Sequence, residues 1–417
     1  MYRGVARPIL VLLISASVIR GYAQTSEPRL HITEANVELL RQRADLHAQR
    51  RHAWQVIAEV VDGAGDRVEP GFKSWHGESE VFNDSSNTQY ARGIRGFSRT
   101  RSAGPGTLAQ TADSPVLTYT LYNDAAFNHI RDNHLYSRRA LERLKIQGIP
   151  DDRVPGNRDI PQFPREAVIL KTAWWPISRH GISALPVWDS DENSSRQAGA
   201  GYLSWQRVVG VDPQAAAASS PVSLEFAGRS FQDVHRVSLS SFYYLQLDQD
   251  LAVRLMLDAT ARKQAAVVLG RPLQEGDYLI LVGANLATRE TRDWVWAALW
   301  WHDRPEAGLY ADDRPFTLKS AWRNYLMQVA FDAITPVAND GGPHICFNPW
   351  LEGRFPDGGH GGGTASNCLA CHARASYPPV SFLPVTRGTA QPSNDEAYLP
   401  GKLRTGFLWS IALHATP

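Results

Sequence analysis

Cysteine and methionine are both scarce in this sequence, with three residues of each among 417. So small and odd a number of cysteines argues against the disulfide framework that staples many exported domains. Two of the three, Cys368 and Cys371, lie close together in the sequence. We therefore ask which group these two residues bind, rather than which disulfide they form. The scarcity of methionine leaves few thioether side chains that can serve as a metal ligand.

An excess of charge of either sign is also missing. Lysine and arginine number 43, aspartate and glutamate 42, and the formal net charge is +1. A nearly neutral chain gives no electrostatic case for a nucleic acid or an anionic membrane as partner, and we expect neither. The hydrophobic fraction of 43% is that of an ordinary globular protein, and the length allows one large domain or two smaller ones.

Long apolar runs are absent except near the amino terminus. Arg3 and Arg7 precede an apolar stretch over 9–19, and small residues follow at 21 and 23. This pattern predicts a signal peptide over residues 1–23, with cleavage after Ala23. The stretch is too short to span a bilayer comfortably. We therefore expect an exported protein of the periplasm, with no stable membrane span once the peptide is removed.

The rest of the chain mixes helical and extended patterns. Apolar residues recur with helical spacing over 33–62, 124–145, 251–261 and 322–331. Strand candidates lie at 167–175, 202–211, 222–226, 235–247, 278–282 and 294–301. Together they predict an α+β fold, a largely antiparallel β-rich body with flanking helices.

The chain changes character near residue 339, where glycine and proline become frequent. All three cysteines lie beyond this point. The predicted organisation is therefore a signal peptide over 1–23, an α+β body over 24–338 and a carboxyl-terminal cofactor-attachment segment over 339–417.

Residues 368–372 read Cys-Leu-Ala-Cys-His, a C-x-x-C-H motif. Two thiols separated by two residues of a helical turn can add to the two vinyl groups of a haem, and the following imidazole then points at the iron. The motif predicts one covalently bound haem c per chain, attached through Cys368 and Cys371, with His372 as the proximal iron ligand.

The sequence around the motif resembles secreted bacterial proteins of the cytochrome c family, notably at 348–352 and 366–372. A β-rich body before a carboxyl-terminal motif is similar to the cytochrome P460 and c′-β group. That group includes proteins in which a lysine is cross-linked to the haem and hydroxylamine is oxidised, so the resemblance draws attention to Lys171. The chain departs from the small cytochromes, because no methionine follows His372.

Two other interpretations of the cysteines remain open. A structural zinc site would use His344, Cys346, Cys368 and Cys371 as a Cys3His set. A thioredoxin-like redox pair would need a βαβ context around the motif.

Two residues near the motif have alternative roles. Cys346 is expected to be buried as a small apolar residue, with an intermolecular disulfide as the alternative. Arg374 either pairs with a haem propionate or faces solvent.

The sixth iron ligand decides between a carrier and a catalyst. Candidates for it are His302, His344, His360, Met256 and Met327. A strong ligand leaves an electron-transfer site, whereas an open position admits oxygen, peroxide, NO or a nitrogen substrate. The tryptophan pairs 174–175 and 300–301 can form the walls of a distal pocket or belong to the core.

Three functions follow from these observations. The first is an exported haem protein of periplasmic electron transfer, which implies a redox partner protein. The second is a P460-like haem enzyme or gas-binding protein with an open distal site. The third is an exported, zinc-stapled binding protein.

Overall fold

The computed structural model of this chain describes residues 34–62, 70–83, 97, 115–151, 155–189, 201–215, 220–308, 310–318, 320–337, 344–353, 362–379 and 401–416. The predicted signal peptide, residues 1–23, and the candidate ligand His360 lie outside these ranges. None of the helices within the ranges combines the length and the apolar character that crossing a membrane requires.

The helices of the described ranges are mostly short, and α2 is the longest at 17 residues. They are α1 (Glu34–Arg43), α2 (Leu46–Asp62), α3 (Glu78–Phe82), α4 (Asp124–Asp132), α5 (Arg138–Gln147), α6 (Gln249–Leu257), α7 (Ala259–Leu269), α8 (Cys368–His372) and α9 (Trp409–His414). In α2 the apolar stripe of Trp54, Ile57 and Val61 is buried as its spacing predicts. Burial of this stripe fixes the helix against the sheet.

The strands fall into one large sheet and three small ones. They are β1 (His76–Gly77), β2 (Leu117–Tyr122), β3 (Ile149–Pro150), β4 (Arg158–Asp159), β5 (Val168–Ile177), β6 (Ser183–Val187), β7 (Arg207–Asp212), β8 (Val222–Phe226), β9 (Arg229–Val234), β10 (Arg236–Ser238), β11 (Tyr244–Gln246), β12 (Tyr278–Thr288), β13 (Val295–Trp301), β14 (Tyr325–Ala330), β15 (Ser376–Tyr377) and β16 (Leu403–Arg404).

The large sheet has seven strands in the order β1-β2-β5-β12-β13-β14, with β11 pairing to β12 as well. All of its pairings are antiparallel. The α+β prediction, with a largely antiparallel β-rich body, is confirmed.

The small sheets tie distant parts of the chain together. One has the order β10-β7-β6, and β8 with β9 forms a hairpin. The third has the order β15-β16-β4-β3, in which β16 lies parallel to β4. Beside it, Thr416 accepts a hydrogen bond from the amide of Arg138 and donates one to the carbonyl of Tyr136. The carboxyl-terminal residues are thus held by residues near position 137.

Two hydrophobic clusters pack on the large sheet. Along β13, Ala297 and Leu299 belong to the larger cluster, which we call the main core. Trp296 and Ala298 belong to the smaller one, which we call the C-terminal core. Alternate residues of a strand point to opposite faces, so these two pairs face different sides of the sheet.

The C-terminal core joins residues from both predicted segments. Body residues such as Phe82 and Ile130 share it with Cys346, Cys368 and Ile411. The predicted attachment segment is therefore packed against the body. It contributes to the main core as well, through Phe347, Trp350 and Leu351.

Several predicted elements differ from the observed ones. The helix predicted over 33–62 is divided into α1 and α2 at Ala44, and that over 124–145 into α4 and α5 near His134. Both residues have a left-handed φ, 51° and 53°, which interrupts a helix. The pattern over 251–261 is likewise divided at Asp258, which caps α7 by accepting hydrogen bonds from two of its amides.

The helix predicted over 322–331 is wrong. Residues Tyr325–Ala330 form strand β14, and every one of them is buried. A strand covered on both faces shows no alternation, so its apolar run can be mistaken for a helical pattern. The strand predicted over 235–247 is also interrupted, by a 3₁₀ turn at Leu239–Ser241.

Candidate cofactor-attachment site

The C-x-x-C-H motif forms a single helical turn, α8, as its chemistry predicts. Asn367 precedes it in an extended conformation, and its side-chain oxygen accepts a hydrogen bond from the amide of Ala370 at 3.1 Å. The same side chain donates from Nδ2 to the carbonyl of His344 at 3.1 Å. Asn367 therefore caps the turn and anchors it to the preceding segment.

The two motif cysteines occupy positions i and i+3 of this turn, which are neighbours on a helix surface. Cys368 is buried and its sulfur lies 3.8 Å from that of Cys346, whereas Cys371 retains some exposure. Cys346 itself is fully buried in the C-terminal core. Its predicted burial as a small residue is confirmed, and in the folded chain its sulfur is out of reach of a second chain.

One nitrogen of His372 is committed to the protein. Its Nδ1 lies 2.7 Å from the carbonyl oxygen of Phe407. A carbonyl can only accept, so Nδ1 carries the proton and donates, which leaves the lone pair on Nε2. Metal-ligating histidines are oriented by this kind of hydrogen bond to their second nitrogen.

The turn that presents the Phe407 carbonyl is conformationally unusual. Gly406 and Phe407 both have left-handed φ values, 56° and 71°. A left-handed conformation costs a bulky residue such as phenylalanine about 1 kcal/mol or more. The turn is secured by hydrogen bonds from the Thr405 amide to the Ala375 carbonyl and from the Leu408 amide to the Thr405 carbonyl.

Trp296 of β13 lies against the ring of His372. The two ring centroids are 4.0 Å apart and the planes are inclined by 37°. With Nδ1 fixed by Phe407 and the ring against Trp296, the imidazole has one defined orientation.

Burial governs the protonation of the three motif groups. It lowers the pKa of His372 to about 4, against the opposing effect of the Phe407 hydrogen bond. Burial also raises the pKa of Cys371 to about 12. For Cys368 the hydrogen bond with Cys346 and burial both raise the pKa. At neutral pH the site therefore holds a neutral imidazole and two protonated thiols.

Two charged side chains of opposite sign act on this site. The ammonium of Lys171, on β5, lowers the pKa of both His372 and Cys371. Glu352 raises the pKa of Cys368 and Cys371. The body thus supplies a lysine, and the attachment segment a carboxylate, to the surroundings of the motif.

Glu352 belongs to a hydrogen-bonded group that joins the attachment segment to the sheet. It accepts from Asn285 Nδ2 at 3.0 Å and from the amide of Asn348 at 2.5 Å. The Asn348 Nδ2 lies within 3.1 Å of three acceptors, the carbonyls of Ala284 and Leu299 and the Asn285 side-chain oxygen. Asn285 pairs across the ladder with Lys171, so this group and the lysine share one part of the sheet.

The histidines proposed as distal ligands are committed elsewhere. His302 Nδ1 accepts the amide of Arg304 at 2.9 Å, and Nε2 donates to Asp189 at 3.0 Å. His344 is buried and donates from Nε2 to the Val329 carbonyl at 2.6 Å. The structure does not bring either imidazole to His372.

The methionine candidates lie away from the site as well. Met256 is about half exposed on α6, and Met327 is fully buried in the main core. Met327 alternates with Gln328, whose side-chain oxygen accepts from the amide of Phe347 in the attachment segment. Met327 therefore faces the main core, whereas Cys368 and Leu369 of the motif belong to the C-terminal core.

The remaining predicted residues have definite environments. Arg374 is 5% exposed, so its solvent-facing alternative is wrong, and its charge lowers the pKa of Cys371. Trp174, Trp175, Trp300 and Trp301 all belong to the main core, where Trp175 packs on Trp350 and Trp300 on Trp188. The tryptophan pairs are thus core residues and do not surround the motif.

The two alternative uses of the cysteines find little support. Among the described residues no three histidine, cysteine, aspartate or glutamate side chains gather as a metal-binding group, and the Nε2 of His344 faces Val329. A redox-active C-x-x-C pair depends on a lowered thiol pKa, whereas both motif thiols have raised ones.

No family model matches this chain, and no curated protein or solved structure matches it at a significant level. The resemblance to c-type cytochromes therefore depends on the motif and its surroundings.

The donor set at the motif fits a covalently attached haem. Two thiols lie one helical turn apart, and the imidazole that follows them is neutral, oriented by the Phe407 carbonyl and carries its lone pair on Nε2. Sequence reasoning missed Trp296 and Phe407, which position that imidazole. Trp296 lay within a predicted strand with nothing to link it to the motif, and Phe407 acts through its backbone, which leaves no signal in the sequence.

Proposed function

We propose that this chain is an exported c-type haem protein with one haem, acting in periplasmic electron transfer with a partner protein. The observation that carries the proposal is the state of His372. Its Nδ1 is fixed by the Phe407 carbonyl, which leaves the lone pair on Nε2, and it directly follows two thiols one helical turn apart. Covalent attachment of a haem accounts for the histidine and both cysteines together, whereas core packing does not account for their spacing.

The chain's residues would divide the work as follows. Cys368 and Cys371 would form the two thioether bonds, and His372 would ligate the iron through Nε2. Trp296 and the Phe407 carbonyl hold the imidazole in place. A bound haem supplies reversible one-electron chemistry at its iron.

The charges around the motif would tune this chemistry. Lys171 and Arg374 bring positive charge near Cys371, and Glu352 brings negative charge. Charges this close to a redox centre are one of the means by which a protein sets its potential. Arg374, buried beside the motif, is also the residue we assign to a haem propionate.

A second candidate function is a haem enzyme or gas-binding protein with an open distal site. It is favoured by the placement of the candidate ligands, because within the described ranges neither His302, His344, Met256 nor Met327 is brought to the motif. The lysine highlighted by the resemblance to cytochrome P460, Lys171, does lie close enough to act on His372.

The test is the visible spectrum of the reduced protein, exported with the haem-attachment machinery, before and after addition of CO. A sharp low-spin spectrum that CO leaves unchanged supports the electron carrier. A Soret band shifted by CO supports the open distal site.

A histidine variant tests the haem itself. His372→Ala should abolish the c-type spectrum under either function, whereas His180→Ala, at an exposed turn, should leave it intact. A full c-type spectrum in His372→Ala would refute the assignment of the proximal ligand.

A further inference from the structure

Cys346 lies outside the C-x-x-C-H motif, yet its sulfur is 3.8 Å from that of Cys368. Both residues are buried in the C-terminal core. The C-x-x-C-H motif does not account for this third thiol.

The backbones on the two sides of this contact are fixed to each other. Residues 346 and 367 form an isolated parallel bridge. The amide of Cys346 donates to the Ser366 carbonyl at 3.0 Å, and the amide of Cys368 donates to the Cys346 carbonyl at 2.9 Å. These backbone hydrogen bonds hold the two cysteines next to each other, independently of their side-chain rotamers.

From these contacts we infer that Cys346 and Cys368 form a disulfide in the haem-free protein when it folds under oxidising conditions. A disulfide has a sulfur separation of about 2.05 Å, so the sulfurs must approach by about 1.8 Å, which side-chain rotation between adjacent backbones can supply. Cys371, three residues further along the turn and partly buried, stays reduced.

The reaction is thiol–disulfide exchange with an external disulfide such as oxidised glutathione or an oxidising protein. The exchange takes place while the chain folds, before the C-terminal core buries the two cysteines. One cysteine thiolate then displaces a sulfur of the oxidant and forms a mixed disulfide, and the displaced half leaves as a thiol. The second cysteine then attacks that bond, forms the Cys346–Cys368 link and releases the other half of the oxidant as a thiol. Two electrons and two protons pass from the cysteines to the oxidant, which is reduced to two thiols.

One consequence rests on the proposed function. The Cys368 sulfur can hold either the disulfide or a thioether to haem, and never both. The Cys346–Cys368 disulfide therefore blocks haem attachment at Cys368 until the disulfide is reduced.

The first experiment maps the disulfide independently of haem. The full chain is exported to an oxidising compartment of a host that lacks the haem-attachment machinery, trapped with a thiol-alkylating reagent, and mapped by mass spectrometry of its proteolytic peptides. We expect a linked pair of peptides carrying Cys346 and Cys368, lighter by about 2 Da than the reduced pair, with Cys371 alkylated. A Cys368–Cys371 link, or alkylation of all three cysteines, would overturn the inference.

Two variants keep the result interpretable. Cys371→Ser should retain the Cys346–Cys368 link, whereas Cys346→Ser should lose it; Cys346→Ala serves if the serine variant fails to fold, as judged by circular dichroism. Loss of the link in Cys371→Ser would also overturn the inference.

The second experiment tests the blocking role in a host that has the machinery. Without added thiol reductant we expect Cys346→Ser to carry at least twofold more haem per chain than the unaltered protein, and we expect reductant to abolish this difference. Equal loading without reductant would overturn the blocking role. Absence of haem from both proteins, with the disulfide mapped, would instead refute the proposed function and leave the disulfide standing.

Discussion

Replacing Asn348 with alanine should destabilise the protein by about 3 kcal/mol. This side chain is fully buried where the attachment segment meets β12 and β13. Its Nδ2 shares two hydrogens among three acceptors within 3.1 Å, and its oxygen accepts the amide of Trp350 at 3.1 Å. Removing it deletes two or three hydrogen bonds of about 1 kcal/mol each and leaves buried carbonyls unpaired, which adds to the loss.

The assay is chemical denaturation of the haem-free protein, followed by tryptophan fluorescence. Asn324→Ala is the matched control, since its side chain makes one hydrogen bond, to the Ser241 carbonyl at 2.8 Å, and its loss should cost about 1 kcal/mol. Asn348→Asp should be worse than alanine, because it turns a carboxylate oxygen toward three acceptors. A loss below about 1 kcal/mol for Asn348→Ala would refute the role of this amide in joining the segment to the sheet.

Three further results are expected. Lys171→Gln should lower the midpoint potential of the haem-loaded protein by tens of millivolts in a spectroelectrochemical titration, because a nearby positive charge favours the reduced iron, whereas the exposed Lys263→Gln should not. Gly283→Ala should destabilise the fold by about 1–3 kcal/mol on thermal unfolding, because the added Cβ would lie 3.0 Å from the side-chain oxygen of Asn348. The pKa of Asp189 is lowered in the fold, where burial is outweighed by its hydrogen bonds, including those from Arg207. Its stabilising effect is present above about pH 4 and is lost as the pH falls further, so Asp189→Asn should flatten the acid limb of a stability–pH curve.

The sequence predicted the class of fold well and the limits of its elements less well. Strand β5 follows from its apolar residues, and the stripe of α2 from its spacing. The breaks at Ala44 and His134 carry no glycine or proline that would announce a left-handed residue. Strand β14 was mistaken for a helix because its identity depends on pairing with β13, a contact between residues about 30 positions apart along the chain.

Those features of the site that depend on residues close together in the sequence could be predicted. The helical turn of the motif and the burial of Cys346 both follow from residues close in sequence. The partners of His372 do not, because Trp296 and Phe407 reach it from 76 positions before and 35 after. The failure of His302 as a ligand likewise depends on Asp189, which lies 113 positions earlier in the chain.

The pairing of β16 with β4, and of Thr416 with residues near Ser137, has a consequence for the order of folding. A chain that emerges amino terminus first presents β4 long before its partner, so that small sheet has to wait for residues 403–404. Arg404 also donates to the carbonyl of Ala373, 31 residues earlier, and so closes over the end of the motif turn only at this late stage. The two thiols therefore emerge while the structure that later buries them is still incomplete. High contact order, usually a source of slow folding, here leaves an interval in which the two cysteines are accessible.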